Sequence, residues 1–282
     1  MQNKVIITSD STCDLSPELL RKYQIGIVSL YVNFNDQSFK DDPNLTPNDI
    51  FDYVAKTKKL PTTSAATVDD YIKEFTKWTE LGCDVVHINI GSGFSCSYQN
   101  ACIAGLEFPN VMIVDSKNLS AGTGMLAINA AILREKGFSG AEISERLKNN
   151  ANHIHTSFII DTLEYLHKGG RCSAVAAFGA NLLRLKPCIQ VVNGTMDVGK
   201  KYRGTLDSVL EDYIKDKLAN QTNLVFDKII ITNSCTDLAT VDLVVNKIKS
   251  LVNFEEILMT KAGNTISCHC GPNTLGIIFE TE

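Results

Sequence analysis

Residues 84–114 read DVVHINIGSGFSCSYQNACIAGLEFPNVMIV, and the succession of textures in this stretch decides the fold. Residues 84–90 are a β-branched apolar run of strand length. Gly91-Ser92-Gly93 breaks the run, and a helix is expected from about residue 97 to 106. Residues 111–114 form a second apolar run. Two apolar strands joined by a helix make a βαβ crossover, which requires a parallel sheet covered on both faces.

The same alternation extends outward. Towards the N-terminus, residues 4–8 (KVIIT) are strand-like and lead into the polar turn Ser9-Asp10-Ser11-Thr12. Pro17 then opens a helix to Tyr23 with Ser16 as N-cap. Residues 25–34 are one extended run, turned by Asn35-Asp36 into residues 37–40. Thr46-Pro47-Asn48-Asp49 starts a helix, and Tyr71, Ile72, Phe75 and Trp78 mark another by their spacing. Pro61-Thr62-Thr63-Ser64 is read as a loop between these two, and a third long helix is expected over 119–136. The second half differs. A strand at 158–160 leads through 161–171 to a small-residue helix around 174–183. A hairpin over 187–202 turns at Asn193-Gly194. Helices near 206–218 and 238–251 flank a strand at 228–232, and strands at 256–260 and 275–279 close the chain. The expected class is α/β in two lobes. An N-terminal lobe, 1–155, has a parallel sheet; a smaller C-terminal α/β lobe, 156–282, has a mixed sheet.

Composition narrows the function. The chain has 282 residues, 44% hydrophobic and 21% charged, with a formal net charge of −5, so no basic footprint points to nucleic acid. The opening MQNKVIITSDSTCDLS lacks a basic region followed by a long apolar run, and no stretch approaches membrane-spanning length. Nine cysteines without framework spacing suit a reducing compartment, and a cytoplasmic location is expected. Cys268 and Cys270 flank His269, but no second pair stands at zinc spacing, so no metal or other cofactor is expected.

Hydroxyl-rich loops follow the strands: 9–12, 91–97, and 115–116. With 61–64 they offer neutral donors suited to an anion, although each taken singly reads as caps and turns. Gly91-x-Gly93 lacks the third glycine of a dinucleotide fingerprint, and no P-loop exists. Ser95 misses the G-x-S-x-G elbow because Ser97 takes the last glycine's place. Residues 161–171, DTLEYLHKGGR, read either as a helical turn ending in a glycine cap or as a turn presenting Arg171 to phosphate. Arg203 is solvated or phosphate-facing, and His269 is a loop histidine or a ligand-facing donor.

Together these blocks resemble the DegV family, which includes the fatty-acid-binding subunits of bacterial fatty acid kinase. Residues 7–15 (ITSDSTCDL) resemble its opening DST-x-DL, 60–64 (LPTTS) its TTS loop, and 91–98 its SSGLSGTY. DTLEYLHKGGR is similar to DTLEYLRKGGR, Leu185-Lys186-Pro187 to IKP, and 267–272 (SCHCGP) to THTGPG. The resemblance spans essentially the whole chain. It implies a three-layer α/β/α lobe and a smaller lobe with a long-chain fatty acid buried between them. It implies a carboxylate held by Thr63 and Ser95, with Asp10, Ser11, Thr62, Ser64, Gly93 and Cys96 as nearby loop candidates. Arg171, Arg203 and His269 match residues associated with phosphoryl transfer or kinase engagement. The chain itself would be a non-catalytic carrier, and a separate kinase would make the acyl phosphate. An acyltransferase and transient membrane contact for lipid exchange are further expected partners.

The departures are Ala65-Ala66 after the TTS loop, Cys96 for a glycine where backbone nears the ligand, and Cys268, Cys270 and Asn273. They bear on pocket width rather than on the head-group hydroxyls. An acid of about sixteen carbons has about fourteen methylenes, each contributing roughly 0.8 kcal/mol on burial, a gross gain on the order of 11 kcal/mol. The tail can therefore supply the affinity while neutral hydroxyls orient a head that must later be released. The alternatives are a lipid-handling hydrolase or acyl transferase using Ser95, and a lipid-sensing regulator.

Overall fold

Ser16, Thr46, Thr67, Ser139 and Thr205 each accept a hydrogen bond from the backbone N–H three residues on, and each starts a helix. Thr46, Thr67 and Ser139 form full capping boxes with Asp49, Asp70 and Glu142. The computed structural model describes residues 4–176, 185–219 and 221–282. Of the small-residue helix expected around 174–183, only the turn Ser173–Ala176 (α8) falls among them.

Four parallel strands make the first sheet, in the order β2-β1-β6-β7: β1 (Val5–Asp10), β2 (Ile25–Val28), β6 (Asp84–Asn89) and β7 (Val111–Asp115). Helices α3 (Val68–Thr79) and α4 (Ser97–Gly105) cover one face. The other face packs on α1 (Pro17–Tyr23), α5 (Ala121–Glu135) and α6 (Gly140–Asn150). The extended run expected over 25–34 divides: β2 stays in this sheet, and β3 (Tyr31–Phe34) leaves it for a small antiparallel sheet, β4-β3-β5. There β4 (Gln37–Lys40) closes the expected hairpin. Residues expected as a loop before α3 are instead strand β5 (Thr62–Ser64), with Thr63 opposite Val32. Helix α2 (Pro47–Thr57) lies between β4 and β5 in the chain.

A six-stranded mixed sheet follows the order β10-β9-β8-β13-β11-β12. Its strands are β8 (Ile154–Ile159), β9 (Lys186–Val192), β10 (Thr195–Tyr202), β11 (Lys228–Ser234), β12 (Glu256–Lys261) and β13 (Thr274–Glu280). Residues 155 and 156 are consecutive within β8. The outer face is covered by α9 (Leu206–Leu218) and α10 (Leu238–Leu251). The inner face meets α5: Ile230, Leu258 and Ile278 join Val86, Ile88 and Met125 in one core. Residues 161–171 end in α7 (Glu164–Gly169), closed by Gly170 at φ 69° as the glycine cap requires. His269, expected in a loop, stands on a short helix, α11 (Asn264–Cys270).

Candidate functional site

The carboxyl ends of β1 and β6 are fixed by a buried polar cluster. The Asp10 carboxylate accepts from the Tyr71 hydroxyl (2.7 Å), the Ile90 N–H (2.8 Å) and Asn89 Nδ2 (3.1 Å). His87 Nδ1 shares a hydrogen bond with Thr8 Oγ1 at 2.8 Å, and its Nε2 lies 3.4 Å from Asp10. From this platform leave the two loops the sequence singles out, after Asp10 and after Ile90. In the second, Gly93 passes so close to the hairpin turn that a Cβ there would sit 2.3 Å from the Gly194 carbonyl oxygen. Glycine is needed for this approach.

Thr63, Ser64, Ser95, Arg171 and His269 line one cavity of about 70 Å³. They come from β5, the loop before α4, the turn after α7, and α11. The rest of its wall is mainly apolar, including Leu30, Ile90, Phe94, Leu166 and Met196. Thr63 Oγ1 and His269 Nε2 share a hydrogen bond of 2.9 Å. Ser95 Oγ accepts from the Ser97 N–H (3.1 Å) and pairs with Ser97 Oγ (3.0 Å). No imidazole is among the hydrogen-bond partners of Ser95 in the described residues.

Burial, and secondly the Arg171 charge, push the His269 pKa down to about 4. The ring is therefore neutral at pH 7. With the proton on Nε2 it donates to Thr63 Oγ1, which frees the Thr63 hydroxyl to donate to an anion in the cavity. Its Nδ1 has no hydrogen-bond partner among the described residues and faces Gly169, where a Cβ would lie 2.4 Å away. Arg171 Nη1 donates to the Gly169 carbonyl (2.8 Å), which curls the guanidinium back over the turn. A neutral donor set beside one arginine on an otherwise apolar wall suits a carboxylate carrying a hydrocarbon tail.

The other candidates stand outside this wall. Asp10 belongs to the buried platform. Ser11 donates to Asp41 (2.9 Å) and accepts from the Leu30 N–H (3.1 Å). Thr62 is exposed at the sheet edge, and Arg203 is exposed just beyond β10. Cys96 is exposed as the N-cap residue of α4 and is not part of the wall, so its side chain does not narrow the pocket as the sequence comparison suggests.

Two carboxylates complete the site: Asp14, the second aspartate of the opening block 7–15, and Asp41, which no motif singles out. Asp14 accepts from the Gly263 N–H (2.8 Å) and from the Ser120 hydroxyl. Asp41 accepts from the N–H groups of Asn264 (3.2 Å) and Thr265 (3.3 Å). Together they hold the first turn of α11, and through it His269. Only the three-dimensional register brings them there: the opening motif contains Asp14 without announcing its contact with α11, and no local motif marks Asp41.

A family model described as "Uncharacterised protein, DegV family" matches residues 4–282. A DegV domain-containing protein of Clostridium acetobutylicum is 30% identical, over 98% of both chains. The solved structure of a fatty-acid-binding DegV family protein from Thermus thermophilus superposes with a TM-score of 0.90 at 28% identity, covering 100% of each chain. That of a DegV lipid-binding protein from Thermotoga maritima does so with a TM-score of 0.86 at 26% identity, over 99% of this chain and 98% of that one.

Proposed function

Because the chain belongs to the DegV family, we propose that it binds one long-chain fatty acid and presents the carboxylate to a separate kinase. The observation that carries this reading is the convergence of Thr63, Ser95, Arg171 and His269 on one cavity with a mainly apolar wall. In this reading the hydroxyls of Thr63 and Ser95 donate to the carboxylate, and His269 orients the Thr63 hydroxyl. Arg171, at the mouth, meets the charge that develops when the head is phosphorylated, and Arg203 belongs to the kinase-facing surface. A second cavity of about 30 Å³ shares Leu119, Phe158, Ile266 and Cys270 with the first, and in this reading the tail runs from the one towards the other. The lobes 1–155 and 156–282 then contribute the carboxylate loops and the His269 helix respectively.

Among the described residues no helix is long and apolar enough to cross a membrane. All nine cysteines are free thiols, which supports a reducing, cytoplasmic setting. Mass spectrometry of lipid extracted from natively purified protein is expected to find a stoichiometric fatty acid. Replacing Thr63 and Ser95 together by Ala is expected to weaken binding by about tenfold or more. No co-purified acid and no binding on titration would overturn the carrier reading. Absence of acyl phosphate with a fatty acid kinase and ATP would overturn the kinase role alone.

A further inference from the structure

The second cavity differs in chemistry from the first. It lies where the six-stranded sheet turns its inner face towards the start of α5. Pairing register gives the rows of that face. Thr156, Ile278, Ile230 and Leu258 form one row, and Phe158, Gly276, Thr232 and Thr260 form the next. The aliphatic members of the first row are part of the central core. In the second row Gly276 contributes no side chain beside Phe158 and Thr232.

Thr156 and Thr232 line this cavity, and Thr260 is the register partner of Thr232. The Oγ1 atoms of all three have no hydrogen-bond partner among the described residues. Thr156 is 4% exposed and Thr260 3%. The other hydroxyls of the same wall are engaged: Ser120 with Asp14, Ser157 with Tyr213, Ser234 with Ser267, and Thr274 with the Cys270 carbonyl. An unpaired buried hydroxyl is costly, and valine would fill the same volume without that cost. Two such hydroxyls on the wall of the second cavity, Thr156 and Thr232, with Thr260 beside Thr232 in the sheet, mark a place built to meet an oxygen atom.

Resting on the fatty-acid reading above, we propose that the second cavity is a subsite for a hydroxyl group on the acyl chain, so that the preferred ligand is a hydroxylated long-chain fatty acid. A chain entering from Ser95 passes Phe158 and Ile266 and brings its middle or far segment to Thr156 and Thr232. A ligand hydroxyl both donates and accepts, and the threonine rotors adjust to either role. An unsubstituted chain sets methylenes against the same oxygens and leaves them unpaired.

The test is calorimetric titration of delipidated protein with octadecanoic acid and with isomers hydroxylated at mid-chain or near the chain end. At least one isomer is expected to bind about tenfold more tightly than the unsubstituted acid. In the Thr156→Val/Thr232→Val variant the ratio of the two affinities is expected to fall to about one. If octadecanoic acid binds the unaltered protein at least as tightly as every hydroxy isomer, the subsite is refuted and the carrier reading stands. A preference that survives in the double variant also refutes it. If no acid binds, both readings fall. The comparison on unaltered protein decides the matter even if the variant does not fold.

Discussion

His269 joins the site's two halves, since Nε2 is bonded to Thr63 and Nδ1 lies against the backbone of Gly169. Its pKa falls from the ordinary 6.5 to about 4, by burial first and the Arg171 charge second. Below pH 6.5 the unfolded chain takes up a proton that the folded chain refuses until about pH 4. Stability from this group is therefore complete above pH 6.5 and is lost as the pH falls towards 4, by at most about 3 kcal/mol. His155, also lowered by burial, acts in the same direction. Urea unfolding of the unaltered protein and of His269→Gln between pH 7 and 4.5 is thus read as a difference. The gap between the two is expected to narrow with acidification, and parallel curves would show that His269 does not titrate as argued. The sequence makes part of this legible. Gly169-Gly170 announces a helix cap, and Gly170 is that cap at φ 69°. The role of Gly169, making room for a ring far along the chain, leaves no local trace.

Among the elements, α11 shows why local reading stops short. Asn264–Cys270 contains Asn, Thr, Ser and Cys, all weak helix formers, between Gly263 and Gly271-Pro272, and by propensity it is a loop. It is helical because Asp14 and Asp41, distant in sequence, accept the amides of Gly263, Asn264 and Thr265. Three-residue β5 is likewise too short to show alternation and is a strand only because β3 lies beside it. Where local signals exist they are reliable: α2 begins on the Thr46 cap, and α6 has a capping box in Ser139 and Glu142 that counting apolar runs passes over. Removing the Asp41 carboxylate should therefore loosen α11 specifically. Loss of an N-terminal acceptor costs about 1–2 kcal/mol, or roughly a five- to thirtyfold rise in local opening. In Asp41→Ala, hydrogen exchange across 264–270 is expected to accelerate by that factor while α9, capped by Thr205, keeps its rate. Unchanged protection in α11 would mean that packing alone holds the helix.

For the whole molecule, the layers run helix, sheet, helix, sheet, helix, and the middle layer belongs to both lobes. The residues of α5, AGTGMLAINAAILRE, are small or apolar nearly all round, and from Ala121 to Ala131 all but Asn129 are buried. Such a composition foretells a helix with no solvent face. Which sheets it separates depends on strand order, and no periodicity encodes that order. Because Val86 and Ile88 of the first sheet and Ile230 and Ile278 of the second share one core with Met125 and Ile128, this central core is complete only when both lobes are present. Chains of this length often unfold domain by domain. Here a single calorimetric transition is expected, with the van't Hoff enthalpy matching the measured one, and a separately expressed 1–155 fragment is expected to expose apolar surface and bind a hydrophobic dye. Two resolved transitions would refute the shared core. So would a fragment with sharp, cooperative unfolding of its own. Ser95 follows a strand of the first sheet, Thr63 stands on the small antiparallel sheet, and Thr156 and Thr232 belong to the six-stranded sheet. On the proposed reading, a core that joins both large sheets is what keeps the head site and the second cavity at a fixed separation.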